Sequence, residues 1–448
     1  MKVDPHNPFV LFLLGAGASD GYIPTTNELT ELLINNSEIE IKDVDFIQDL
    51  DGYHSATGVS YFKKLSELVL KHKGVNYSFE ELIYIAGLLD AVSNKPFNIN
   101  RFYLKGLVAL AKDFAVYDTN LQNAWATQSA YYYIMDKIYE GITRYKPEQI
   151  KKSGICYLLT SLIENGYNLH VYSLNYDSLP TFSGIDFNTG FNKTEEQNKF
   201  IFRRFSPSEI MLKNKFTNLF CQLHGSLLFG KISFKKTSKE EIVMFNDLGS
   251  SFAYRKAGSQ ANNYCSPYKE AQDGYNIPTI PIITSLRKAD DILFEPFGTY
   301  MQSFFASLLY TPIWVVVGYG GNDYHINSYI SRALRLRAEI GNMPLIIDVD
   351  FLNGNEQESS INEKHFMSKI RPFVWPDYEK FYNYSSKNDK IKFNNKKENG
   401  LNLVRYNHQY TEHPIFDILF CFDGINEFSS KSGEIFKKWK KEVFQKLT

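Results

Sequence analysis

Cysteine is scarce in this chain. Its 448 residues hold only four, at 156, 221, 265 and 421, and none stands close to another. No CxxC pair exists, so a zinc ribbon and a thioredoxin-like redox site are without support. Scattered single cysteines fit a reducing cytoplasm and buried thiols. A charge excess is missing too. Lys and Arg number 49 against 50 Asp and Glu, a net charge of −1. That balance gives no sign of direct nucleic-acid binding or of an anionic membrane surface. No apolar run reaches the roughly 18 residues of a transmembrane helix, so none is expected. The apolar run from Phe9 to Leu14 is six residues long, shorter than the roughly seven to fifteen of a secretion signal. No internal repeat is visible.

What is present reads as an ordinary globular chain, 44% hydrophobic and 22% charged, long enough for about three domains. Phe9 to Leu14 has no polar alternation and ends in glycine, the pattern of a strand buried on both faces. Residues 26–34 follow as a helix, with Leu29, Leu32 and Leu33 at helical spacing. Residues 60–165 read as largely helical. Within them, 78–92 opens on a capping box, Ser78 to Glu81, and 102–116 and 129–142 are further helices. The helix 154–166 stops at Asn165-Gly166.

Strands are expected at 167–174, 201–205, within 217–230, and at 278–284, 313–317 and 345–349. Helices at 296–309 and 324–340 separate the last three, and 254–276 reads as a loop. Strands alternating with helices predict a parallel, helix-covered sheet. The polar, basic stretch 385–399 reads as a solvated insertion. A final helix carries Phe436, Trp439, Val443 and Leu447 at helical spacing, a packing face.

Four stretches carry candidate chemistry. The first is GAGAS at 15–19. Small residues between a buried strand and a helix allow close approach of a ligand, and the turn's N–H groups can hold a pyrophosphate. A dinucleotide fingerprint needs a third glycine at position 20, which is Asp, and no Gly-Lys-Ser/Thr follows as in a P-loop. A purely structural turn therefore stays open for this stretch. The second, YSLNYDSLP at 172–180, puts Asn175 and Asp177 at a strand's C-terminal end, where Asx turns are also common. The third, CQLHGSL at 221–227, places His224 before Gly225 on an apolar strand. A core histidine with its polar atoms satisfied is the plain alternative. The fourth, at 312–330, repeats strand, glycine turn and helix with Gly318, Gly320 and Gly321. Asn322 or Asp323 is suited to cap the next helix, and capping alone would account for Asp323.

Together these stretches resemble the SIR2-like (sirtuin-related) family. The matching residues are GAGAS at 15–19, N-Y-D at 175–177, H-G at 224–225 and V-G-Y-G-x-x-D at 317–323, in the family's order. The segment 283–297 is similar to the bacterial branch. The likeness spans about residues 8–350 and is interrupted near 60–150. It implies an α/β, Rossmann-like, mostly parallel sheet covered by helices. Residues 1–375 would form the NAD-binding catalytic unit, with a large helical insertion at 58–150, and 376–448 a small C-terminal extension. By this resemblance Gly15, Ala16, Gly17 and Ser19 cradle the NAD pyrophosphate. Asn175 sits at the nicotinamide ribose and positions the nucleophile, Asp177 supports that pocket, and His224 is the general base. Gly318 and Tyr319 lie by the adenosine half.

One departure from the family bears on substrate. Deacylating sirtuins carry a four-cysteine zinc module, which this chain cannot build, and no metal is expected. The segment 22–27 reads Y-I-P-T-T-N where deacylases carry a proline-acid-aromatic-arginine stretch. The resemblance therefore implies an NAD hydrolase of the antiphage type. It would be cytoplasmic and controlled in trans or by self-assembly into a homo-oligomer, as relatives pair with HerA-type ATPases or short Argonautes. The alternatives are a non-hydrolytic NAD or ADP-ribose sensor and, less favoured, a protein deacylase. Cleavage needs no acid, because nicotinamide leaves as a neutral group and the sugar passes through an oxocarbenium-like state.

Overall fold

The structure is a computed structural model. It describes residues 8–35, 61–85, 133–251 and 294–349 with short breaks, together with isolated elements between 268 and 437. The main sheet has eight strands. In chain order they are β1 (Phe9–Leu14), β2 (Asn168–Ser173), β5 (Leu219–Gln222), β10 (Ile313–Val317), β11 (Leu345–Val349), β12 (Asn394–Glu398), β13 (Leu401–Asn407) and β14 (Asp417–Cys421). In space they run β12-β13-β14-β11-β10-β1-β2-β5. Five successive pairings, from β14 across to β5, are parallel. Numbered by chain order within that parallel part, the strands lie 3-2-1-4-5-6, a doubly wound order, and the sheet is the Rossmann-like, mostly parallel one expected.

The pleat explains why these strands read as unbroken apolar runs. Val10, Phe12 and Leu14 enter one buried cluster, while Leu11 and Leu13 enter another on the opposite face. The first face is covered by the helices Thr26–Asn35, Tyr61–Lys73 and Gly154–Glu164. The second is covered by Phe297–Tyr310 and Tyr324–Glu339. With both faces dry, alternation has no use, and in β1 and β10 apolar residues fill every position.

The capping box expected at Ser78 forms, and a second, not expected, forms at Thr25. The Ser78 N–H donates to Glu81 Oε2 at 2.8 Å, and the Glu81 N–H returns to Ser78 Oγ at 3.4 Å. The same reciprocal pair joins Thr25 and Glu28 at 2.7 and 3.3 Å. Each satisfies two helix-end donors.

A separate four-stranded antiparallel sheet was not expected in full. It joins β3 (Phe191–Gln197), β4 (Phe200–Phe205), β6 (Phe229–Phe234) and β7 (Lys239–Phe245) in the order β3-β4-β7-β6. β4 matches the strand predicted at 201–205, and β6 begins inside 217–230, where strands were also expected. The stretch 217–230 is two strands with a turn between them, because Gly225 takes φ +101° and turns the chain there.

The expected loop 254–276 contains β8 (Tyr268–Glu270), which pairs with β9 (Asn276–Pro278). The predicted strand 278–284 meets the described residues only at Pro278. Past residue 376, the expected small extension instead supplies β12–β14 to the main sheet, and β12 lies inside the stretch read as a solvated insertion. The helix 102–116, most of 78–92, and Trp439, Val443 and Leu447 lie outside the described residues. Phe436 is buried and its carbonyl accepts from the Tyr167 hydroxyl at 2.7 Å.

Cys156, Cys221 and Cys421 are buried free thiols. Burial pushes the Cys156 thiol up to about 11, which makes it a poor nucleophile at neutral pH. Among the described residues no helix is long and apolar enough to cross a membrane.

Candidate functional site

The parallel register decides where the four motif stretches go. Leu14 stands level with Val317 and with Ser173, and Ser173 stands level with Gln222. Gly15, Gly318, Asn175 and His224 therefore leave the sheet at one edge, the C-terminal end of four adjacent strands. Chain order reverses between β1 and β10, the switch point where doubly wound sheets bind ligands.

The two glycine turns pack on each other. The Gly15 N–H donates to Val317 O at 2.9 Å and the Gly17 N–H to Gly318 O at 3.2 Å. A Cβ on Gly15 would lie 2.5 Å from the Gly318 oxygen. Gly318 itself takes φ +59°, and a Cβ there would lie 2.6 Å from backbone atoms of Gly17. So the glycines first of all let two backbone turns touch. The amides of Gly15 and Gly17 are engaged in that contact, which leaves Ala16, exposed on the turn Ala16–Ser19, as the glycine loop's amide nearest to a ligand role.

Asn175 is held from behind. Its Nδ2 donates to Gly15 O at 2.8 Å and to Ser19 Oγ at 2.9 Å. The Gly15 carbonyl only accepts, so the amide orientation is set, and Oδ1 is the atom left for a ligand. The Ser19 hydroxyl passes its own proton to Asp177 Oδ2 at 2.6 Å. Asp177 Oδ1 accepts from the Leu179 N–H at 2.9 Å, and Gln222 Nε2 donates to the Asp177 carbonyl at 2.5 Å. Asp177 is 1% exposed. Burial drives its carboxyl above the ordinary range, and the hydrogen bonds from Ser19 and Leu179 pull it only part of the way back.

His224 lies just beyond β5 rather than on it. Its Nε2 is 3.2 Å from Nε2 of His325 and 3.9 Å from Oδ1 of Asp323. Asp323 does occupy the N-cap position of the helix Tyr324–Glu339, but its side chain makes no capping bond. Capping therefore does not account for it. By contrast His170 is a core histidine, fully buried and bonded through Nδ1 to Ser307 Oγ at 2.8 Å.

A cavity of about 790 Å³ opens at this edge, within the usual range for small-molecule sites. Gly15, Ala16, Asn175, His224, Gly318 and Tyr319 line it. Gly17, Ser19 and Asp177 are not part of its lining and act by holding those that are. Tyr319 braces the second turn, its hydroxyl donating to Asn327 Oδ1 at 2.9 Å, and burial raises its pKa.

Sequence reasoning missed three groups here. His325 had a faint signal, two places after the turn's Asp323. Tyr176 and Glu80 had none: the Tyr176 hydroxyl donates to Glu80 Oε1 at 2.7 Å, 96 positions away. Ser78, Phe79, Glu80 and Glu81, at and after a helix start, form part of the cavity wall. Among the described lining residues Glu80, Glu81 and Asp323 are carboxylates, and none is Lys or Arg. That field favours a cationic group over a bare phosphate. In comparisons with known proteins, the chain matches no family model and no curated protein.

Proposed function

We propose that this protein hydrolyses NAD+ to nicotinamide and ADP-ribose. One observation carries the reading. Asn175, His224 and both glycine turns, distant in sequence, meet at one cavity on the switch edge of a doubly wound sheet. The sirtuin-related resemblance of the same residues supplies the choice of substrate.

The chemistry follows from what each group offers. The bond from C1′ to the pyridinium nitrogen breaks with its electron pair going to nicotinamide, which leaves neutral. Positive charge moves onto the ribose. The carboxylates of the cavity wall favour that charge, and water completes the reaction at C1′. Asn175 Oδ1 accepts a hydrogen from the attacking water or a ribose hydroxyl and so orients it. His224 takes the proton that water releases. Ser19 and Asp177 fix the Asn175 amide, and the Ala16 amide with the adjoining turns meets the pyrophosphate. No metal enters this reaction.

By the same resemblance, the setting is antiviral defence through NAD depletion in the cytoplasm. Control comes from homo-oligomerisation or a partner such as a HerA-type ATPase or a short Argonaute. The test is to incubate the purified full chain with NAD+, alone and with the product of a neighbouring gene, and to measure nicotinamide. Release is expected. Binding of NAD+ without release in any state would favour the sensor reading instead.

A further inference from the structure

His224, Asp323 and His325 form a cluster that the hydrolysis above does not use as a unit. His224 comes from the loop after β5, while Asp323 and His325 stand at the N-cap and in the first turn of the helix Tyr324–Glu339, and all three share the cavity wall. The Nε2 atoms of the two histidines are 3.2 Å apart. Asp323 Oδ1 is 3.9 Å from His224 Nε2, and one ligand atom from each of the three lies within 4.8 Å of the other two. Two ligand nitrogens about 2.0–2.1 Å from one ion, at the tetrahedral angle, stand about 3.3–3.4 Å apart. The histidine pair already has nearly that spacing. The Asp323 side chain is 18% exposed and its Oδ1, 3.9 Å from His224 Nε2, stands about half an ångström beyond the tetrahedral ligand spacing.

The donor set is two imidazole nitrogens and one carboxylate oxygen. Such a set suits a borderline divalent transition metal rather than Mg2+ or Ca2+, which prefer all-oxygen shells. Three protein ligands at a cavity wall leave a fourth position for water or a ligand, the pattern of an open site. His224 is buried while Asp323 and His325 are partly exposed, so an ion has a route in from the cavity.

We propose that His224, Asp323 and His325 bind one divalent transition-metal ion of the zinc class. One consequence rests on the hydrolase reading: the ion takes the Nε2 lone pair that a general base needs, so occupancy stops hydrolysis. The ion also ties the β5 loop to the β10 turn.

The test uses the full chain stripped with chelator, then titrated with Co2+ and Zn2+. The expected result is one equivalent bound, with the visible band of tetrahedral Co2+, bleached by Zn2+. His325→Ala and Asp323→Asn should each weaken binding at least ~10-fold, with folding checked by circular dichroism. No saturable binding, or binding indifferent to both substitutions, overturns the site and leaves an imidazole–imidazole hydrogen bond only. Nicotinamide release should fall along the same Zn2+ curve and return on chelation. Stoichiometric binding with release unchanged overturns the inhibitory role. If the metal-free protein releases no nicotinamide in any state, the hydrolase reading fails, and the Co2+ spectrum still decides the site.

Discussion

The side-chain nitrogen of Asn175 lies 2.8 Å from the carbonyl oxygen of Gly15, across 160 positions of sequence. With Ser19 as its second acceptor, this contact locks the asparagine that faces the cavity to the turn that follows β1. The motif residues thus form one hydrogen-bonded unit, Gly15, Ser19, Asn175 and Asp177, of which only Gly15 and Asn175 reach the cavity.

Asn175→Asp tests that unit with little change of shape. It replaces the donor by an oxygen that repels the Gly15 carbonyl and cannot receive the Ser19 proton, which is already given to Asp177. Stability should drop by about 1–3 kcal/mol, the cost of buried groups left unpaired. Nicotinamide release should drop at least ~100-fold, as when a preorganised polar group is lost. Urea denaturation and a release assay measure the two. Unchanged release removes Asn175 from its positioning role.

His224→Ala should lower nicotinamide release by roughly 10²–10⁴-fold, the range for loss of a general base. NAD+ affinity should change little, because the base acts on water rather than on the bound cofactor. Calorimetric binding beside turnover separates the two effects. Full activity in a folded variant would show that another group takes the proton.

Gly318→Ala probes the contact between the two turns. The new methyl would lie 2.6 Å from backbone carbon and nitrogen of Gly17, at a backbone φ of +59°. Neither turn can yield without breaking the Gly17–Gly318 bond. A loss of about 1–3 kcal/mol is expected from strain and overpacking. Gly320→Ala is the control, since its Cβ would meet nothing nearer than Asn322 Nδ2 at 3.7 Å. Equal midpoints for the two variants would show that the turns do not need their close approach.

Asp177 has a folded-state pKa above its unfolded value of 3.8 because of burial. The folded state therefore holds this proton more tightly than the unfolded chain. Its contribution to stability is fully present below about pH 3.8 and is lost as pH rises through the folded-state value. Other carboxylates titrate in the same range, so the comparison is with Asp177→Asn. The difference in unfolding free energy, wild type minus variant, should fall as pH rises above that point and then level off. A difference that rises with pH would show that hydrogen bonds outweigh burial.

Arg337 is buried and gives hydrogen bonds to three carbonyls: Asn342 at 2.6 Å, Leu308 at 3.0 Å and Thr311 at 2.7 Å. It pins the helix that begins beside His325 to the helix before β10. Desolvation lowers its pKa to about 10. Arg337→Ala leaves those carbonyls without this donor and opens a void, with an expected cost of about 3–5 kcal/mol. Thermal unfolding checks it. A shift no larger than that of an exposed arginine such as Arg332 would show that water replaces the guanidinium without loss.

Much of the sheet was legible because its strands are dry on both sides. Phe9–Leu14, Ile313–Val317 and, but for Asp348, Leu345–Val349 are short, apolar and closed by glycine or polar turns. The small sheet was not legible for the opposite reason. β3 reads FNKTEEQ, polar after Phe191, and β4, its neighbour, is tied to β7 on its other side by Arg204 with Glu241 at 2.8 Å, 37 positions apart. Nothing local in either segment announces the other. His325 was hidden in the same way, since its partner lies 101 positions upstream.

The sequence by itself determined that four apolar strands each end in a turn built of glycine or of polar residues able to bind. Burial periodicity and backbone freedom are local properties, and they can be read from neighbours. Only the tertiary structure decided that those four ends lie side by side, that Gly15 and Gly17 give their amide hydrogens to Val317 and Gly318 at the end of β10, and that His224 faces Asp323 and His325. Parallel register is set by hydrogen bonds and packing between segments that are separated by helices and lie far apart in sequence, such as β1 with β10 and β2, and no local pattern encodes it.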